Sequence, residues 1–116
     1  MNRTLVGIVI AAAAAGSIAG AAPAAANDSI NVITVRQAND HPLAVRCIQQ
    51  ALGVRPRDGQ YGQATYDAVR RFQRANDIQV DGDIGRQTGQ LILNRIHQRI
   101  GRATYLRCWP YIPSER

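Results

Sequence analysis

The chain has 116 residues, a formal charge of +6, and 46% hydrophobic but only 5% aromatic residues. With residues 1–26 read as a removable leader, 116 − 26 = 90 residues remain, enough for one small domain and no more. All fourteen basic residues are Arg, whose planar fork grips carboxylates and phosphates through paired hydrogen bonds. A GC-rich genome and a solvated surface account for the same count, so charge alone decides little.

In chain order, the first segment reads as a secretory signal peptide over residues 1–26. Met1-Asn2-Arg3 is a cationic start, Leu5 to Ala15 is apolar or small throughout, and small residues precede the cut. Ala24-Ala25-Ala26 fits best as the cleavage site, with Ala22-Pro23-Ala24 second. The rival is an uncleaved anchor, since a spanning helix needs roughly 20 residues, but Ala, Gly and Pro23 weaken it. The mature chain then carries 13 Arg against 7 Asp and 1 Glu, a formal +5. Outside the membrane the anionic partners on offer are wall polymers and lipid headgroups rather than genomic DNA. In an exported chain, Cys47 and Cys108 read as one disulfide. It closes a loop of about 60 residues, valued at roughly 4 kcal/mol by chain entropy.

Residues 27–41 form an extended lead-in, with β-branched Ile30, Val32, Ile33 and Val35. Pro42 suits a first helical position, capped by Asp40 or His41. Leu43, Cys47 and Ala51, alongside Ala44, Ile48 and Leu52, define an amphipathic helix that ends at Gly53. Residues 54–62 are a turn region. A second helix over about 64–76 presents Ala68, Val69, Phe72 and Ala75, with Arg70, Arg71 and Arg74 mainly off the stripe. Asn76-Asp77 terminates it, Asn being tolerant of the left-handed conformation. A third helix over about 87–100 turns Leu91, Ile92, Ile96 and Ile100 inward and stops at Gly101. Two prolines argue against a regular helix in the tail, residues 102–116. The tail instead lies across the first helix, with Trp109 covering apolar surface.

The middle of the chain says one thing twice. Asp58-Gly59-x-x-Gly62-x-x-Thr65 returns 23 residues later as Asp81-Gly82-x-x-Gly85-x-x-Thr88. Val45-Arg46-x-Ile48-Gln49 returns as Val69-Arg70-x-Phe72-Gln73 at an offset of 24. Each DG step needs the positive φ that glycine tolerates. Thr65 and Thr88 stand where a hydroxyl can satisfy free helix amides. Tyr61 and Ile84 are placed to plug the space between consecutive helices. Gln49 and Gln73, polar beside an apolar stripe, can bond the turn backbone.

These elements, in this order over about residues 43–93, resemble a peptidoglycan-binding domain of the three-helix kind appended to cell-wall hydrolases. The shared run is VRxLQ, DGxFG, TxxAVxxFQ, an apolar-VDGxxG step and a Thr opening the last helix. The chain departs from it at Cys47, at Tyr61 for Phe, at Asn76-Asp77 where Gly is usual, and at Gly89 where Trp or Tyr is common. Trp109 from the tail is the candidate substitute for that aromatic. The resemblance implies an all-α fold: a compact three-helix domain over residues 42–101 with DG turns, the extended lead-in and the disulfide-tethered tail.

No constellation for catalysis is present. His41 and His97 read as a helix cap and a solvated side chain, and Glu115 lies in the tail, so no zinc set or nucleophile–base pair assembles. Asp81-Gly82-Asp83 fails the calcium-loop pattern. Neither a cofactor nor a metal is expected. Binding remains: Arg70, Gln73 and Arg74 as carboxylate and amide contacts, Tyr61 as a stacking face, and Asp58 or Asp81 as acceptors. The expected function is a secreted, non-catalytic module on cell-wall peptidoglycan, glycan strand or peptide stem, with a cell-wall hydrolase as a second partner. The alternative is an exported protein-interaction module that regulates or accompanies such a hydrolase. Nucleic-acid binding is out of place for an exported protein, and no membrane contact is expected after leader removal.

Overall fold

A computed structural model of the chain describes residues 32–115. The leader assigned to residues 1–26 lies outside them. The described chain is mostly helical. In order it runs β1 (Val32–Ile33), a 3-10 turn (Ala38–Asp40), α1 (Pro42–Leu52), α2 (Gln63–Ala75), β2 (Ile84–Gly85), α3 (Arg86–Arg99), α4 (Arg102–Cys108) and a second 3-10 turn (Trp109–Tyr111). Among the described residues, no helix is long and apolar enough to cross a membrane.

Local chemistry sets the helix ends. Pro42 opens α1, where its missing N–H costs nothing. His41 is the N-cap residue, but no side chain caps the helix, so the expected polar cap from Asp40 or His41 is absent. Gly53 closes α1 with φ 73°, its N–H donating to the Gln49 carbonyl. At the equivalent place after α2 it is Asp77, with φ 56°, that takes the left-handed conformation. The sequence reading gave that role to Asn76, which instead has φ −102° and donates its side-chain amide to the Phe72 carbonyl. Both terminations are finished by the same bond, Val54 N–H to Gln49 O (2.9 Å) and Ile78 N–H to Gln73 O (3.1 Å).

The core lies where α1, α2, α3 and α4 converge on the two short strands. Val45, Ile48, Val69, Ile84, Ile92, Leu93, Ile96 and Ile112 are all fully buried there. The lead-in enters this core through Ile33, which pairs with Ile84 in an antiparallel bridge, Val32 facing Gly85. Two residues given to inner faces lie outside: Leu43 is 50% and Ile100 40% exposed. Ala75 of α2 is also exposed, whereas Leu93 of α3, unassigned by the periodicity, is fully buried.

The tail differs most from expectation. Residues 102–108 form a fourth helix, because Pro110 and Pro113 lie beyond its last turn and break nothing inside it. Gly101, with φ 140°, turns the chain sharply between α3 and α4. Edge-to-face packing of His97 on Tyr105, with ring centroids 5.2 Å apart, joins those two helices. The Cys47–Cys108 disulfide then ties α4 to α1 across a Cα–Cα distance of 5.9 Å. Past it, Ile112 reaches the core and Pro113 lies directly over Gly89 of α3. The space over position 89, where the family's aromatic is missing, is taken by Ile112 and Pro113. Arg95 of α3 completes the frame by donating to the Ala51 carbonyl at the C-terminal end of α1 (2.9 Å), where a cation suits the helix dipole.

Candidate binding site

Each repeat folds into the same hydrogen-bonded unit, organised by a buried glutamine. Gln49 is 1% exposed. Its amide donates to Asp58 Oδ1 (3.1 Å), the Gln60 carbonyl (2.9 Å) and Thr65 Oγ1 (3.1 Å), while its oxygen accepts from Gly59 N–H (3.0 Å). Gln73, also 1% exposed, repeats the pattern: donation to Asp81 Oδ1 (3.0 Å), the Asp83 carbonyl (2.8 Å) and Thr88 Oγ1 (3.2 Å), acceptance from Gly82 N–H (2.9 Å). The aspartates close each turn on themselves, Asp58 accepting from Gln60 N–H and Asp81 from Asp83 N–H. Gly59 and Gly82 both have φ 78°. A side chain at Gly82 would in addition overlap the Tyr66 ring.

Thr65 and Thr88 do not cap their helices. The N-cap positions are Gly62 and Gly85, without side-chain bonds, and the hydroxyls instead accept from the glutamines. A buried amide with two hydrogens has more to gain from a nearby oxygen than an exposed helix end has.

The two turns are not clamped alike. At the first, Asn39 Oδ1 accepts from Tyr61 N–H (2.7 Å). At the second, Asp83 Oδ1 accepts from Val35 N–H (2.7 Å), so the lead-in is tied to the turn beside the strand bridge. Tyr61 links one turn to the next: its ring is 8% exposed and its hydroxyl donates to the Gly82 carbonyl. Sequence reasoning gave Tyr61 an outward stacking face as well as a plug between helices; the ring is buried between the turns.

Burial, followed by the charges of Asp83 and Asp81, holds the Tyr61 phenol well above the usual tyrosine range. A phenol that ionises less readily when folded stabilises fully below pH ~10, the unfolded value, and that stability is lost as pH rises further. We expect thermal stability to fall above pH 10 in the wild type and to be flatter there in Tyr61→Phe, measured by melting temperature against pH. The Phe variant should start about 1 kcal/mol less stable for its lost hydroxyl bond. Asp58 behaves oppositely: the Gln60 amide first, then the Gln49 side chain, keeps its carboxyl below the ordinary range.

Of the other residues nominated from sequence, Asp58 and Asp81 are exposed yet already engaged by the glutamines, and Gln73 is internal. Arg74 is exposed on α2, one turn beyond Arg70. Arg70 lies with its guanidinium carbon 5.4 Å from the Tyr66 ring centroid, a cation–π arrangement, and its Nε is buried with no hydrogen-bond partner. Tyr61 and Asp81 share an open cleft of about 390 Å³ with Val35, Gly62, Gln63 and Tyr66. Sequence reasoning missed Tyr66, although an aromatic four residues before Arg70 on a helix was a visible signal. Asp58, on the first turn, does not line this cleft. Among the described residues, no three His, Cys, Asp or Glu side chains stand together as metal ligands.

Residues 44–92, the span from α1 through both turns to the middle of α3, match the family model described as "Putative peptidoglycan binding domain". This segment belongs to that family. The match supports peptidoglycan binding and association with the cell wall at the level of the family. Comparisons with curated proteins and with solved structures gave no match. In this peptidoglycan-binding domain the duplicated DG and Gln elements are internal supports. What a ligand can meet is the surface that they shape.

Proposed function

We propose that this chain is an exported, non-catalytic module that holds peptidoglycan in the cleft beside its second turn. The observation that carries this reading is the family match over residues 44–92, the same segment that builds both turns. The domain extends over residues 42–101, preceded by the lead-in of residues 27–41 and followed by the tail of residues 102–116, with residues 1–26 removed on export. Within the cleft, the Tyr66 ring offers a face for a sugar or N-acetyl group, and the buried Tyr61 ring forms the wall beneath it. Gln63 offers an amide to a peptide stem, and beside the cleft Arg70, stacked on Tyr66, with Arg74 on the same helix, pairs with stem carboxylates. Asp81 supplies a further acceptor at the rim, whereas Asp58 and Gln73 act through the turns that they hold. A cell-wall hydrolase is the natural companion of a module with no catalytic set of its own.

Retention of the mature chain on purified sacculi tests the reading. Arg70→Ala and Tyr66→Ala should each lower retention about fivefold, the effect of one cation–π or charged contact. Equal retention of both variants and the wild type would remove the cleft from the proposal. Clearing of peptidoglycan in a zymogram by the same preparation would overturn the non-catalytic part. Failure to bind sacculi together with capture of a wall hydrolase would favour the protein-interaction alternative.

A further inference from the structure

A second cleft, of about 540 Å³, opens on the side of the molecule where the tail meets α1. Three arginines line it: Arg46 from α1, Arg57 from the turn that follows, and Arg107 from the last turn of α4. Its apolar surface is supplied by half-exposed Leu43, Tyr111 and the Cys47–Cys108 disulfide. Leu43, Arg107, Cys108 and Tyr111 all lie outside the family match, so the cleft exists only because the tail is folded back. It shares no lining residue with the cleft beside the second turn.

No Asp or Glu lines this cleft. Among the described residues, Arg107 donates only to the Thr104 hydroxyl, at 3.3 Å, and Arg46 acts on the Asp58 carboxylate as the weakest of the influences on it. Three like charges gathered with a single, weakly acting carboxylate nearby, that of Asp58, repel one another, and a bound anion relieves that repulsion. A lone carboxylate has two oxygens and is satisfied by one guanidinium fork. A terminal phosphoryl group or a pyrophosphate has three or more charged oxygens on a compact centre and can engage several forks together. The apolar flank beside the arginines suits the organic substituent of such a group.

We propose that this cleft is a site for a phosphoryl ligand, a phosphomonoester or pyrophosphate, gripped by Arg46, Arg57 and Arg107. The same group could be carried by a soluble ester or by a lipid headgroup, and the test separates these sources. Backbone amide shifts of the oxidised full chain would be followed by NMR during titration with inorganic pyrophosphate. A parallel arm measures co-sedimentation with phosphatidylcholine vesicles with and without phosphatidic acid. Saturable shifts of Arg57 and of α4 are expected, with binding weakened about tenfold in Arg57→Gln or Arg107→Gln. Arg99→Gln, on the exposed face of α3, should bind as the wild type does. Binding to phosphatidic acid vesicles that pyrophosphate displaces assigns a headgroup, whereas pyrophosphate binding without sedimentation assigns a soluble ester. The proposal is overturned if neither probe binds, if malonate binds as tightly as pyrophosphate, or if the two Arg variants match the wild type. Retention on sacculi is read separately with Arg57→Gln, so that failure here leaves the peptidoglycan reading intact and the reverse.

Discussion

Replacing Gln73 with Leu should unfold most of the population at a temperature where the wild type is fully native. The side chains are similar in volume, so packing alone predicts a small change. The loss is polar: Gly82 N–H, Asp81 N–H, the Asp83 carbonyl and the Thr88 hydroxyl all surrender a partner together. Groups left buried and unpaired cost roughly 1–3 kcal/mol each. Some relaxation toward water is open to Asp81, which is exposed, but Gly82 is buried. A total of about 3–5 kcal/mol is expected, comparable with much of the stability of a small domain. Gln49→Leu should cost about as much, because the first turn is built from the same bonds. Urea denaturation of both variants, with the disulfide intact, measures this. A loss below about 1 kcal/mol for either would mean that the glutamine is a passenger in the turn rather than its organiser.

The physical reason this unit could be anticipated is that it is local and duplicated. A glutamine inside an apolar stripe must find partners, and a DG step eight or nine residues on supplies them; seeing the pair at two places made coincidence a poor explanation. Gly53 as a helix stop and Pro42 as a helix start were legible for a similar reason, each depending on the backbone of one residue. Depth was not legible. Nothing in the sequence around Tyr61 distinguishes a ring facing solvent from one whose hydroxyl reaches the Gly82 carbonyl, since that contact is created by the arrival of the next turn. The tail failed for a different reason. Prolines break a helix only from inside it, and α4 is complete at Cys108, before Pro110. Arg46, Arg57 and Arg107 lie in three separate segments, so no spacing rule gathers them. Only the closure of α4 onto α1 through Cys47 and Cys108 does so.

Gly89 shows how a departure from a family pattern is explained by something distant in sequence. A Cβ at this position would run into the Pro113 carbonyl and press on Ile112 Cγ2 at 3.0 Å. Backbone, unlike the end of a flexible side chain, cannot step aside without dragging Ile112 from the core, where it is fully buried. Gly89→Ala should therefore destabilise the full chain by about 2–4 kcal/mol, from overpacking and partial loss of the Ile112 anchor. In a helix interior freed of that obstacle the same substitution is favourable by about 1 kcal/mol, because Ala restricts the unfolded chain. Truncation after Tyr111 removes the obstacle and leaves the disulfide in place. The effect of Gly89→Ala should then change sign between the two backgrounds, a coupling of about 3–5 kcal/mol in a double-mutant cycle. Truncation will itself lower stability, so both members of each pair must be measured where they fold cooperatively. Were Gly89→Ala to have the same sign and size in both backgrounds, the tail would not be seated on α3, and position 89 would simply lack its aromatic.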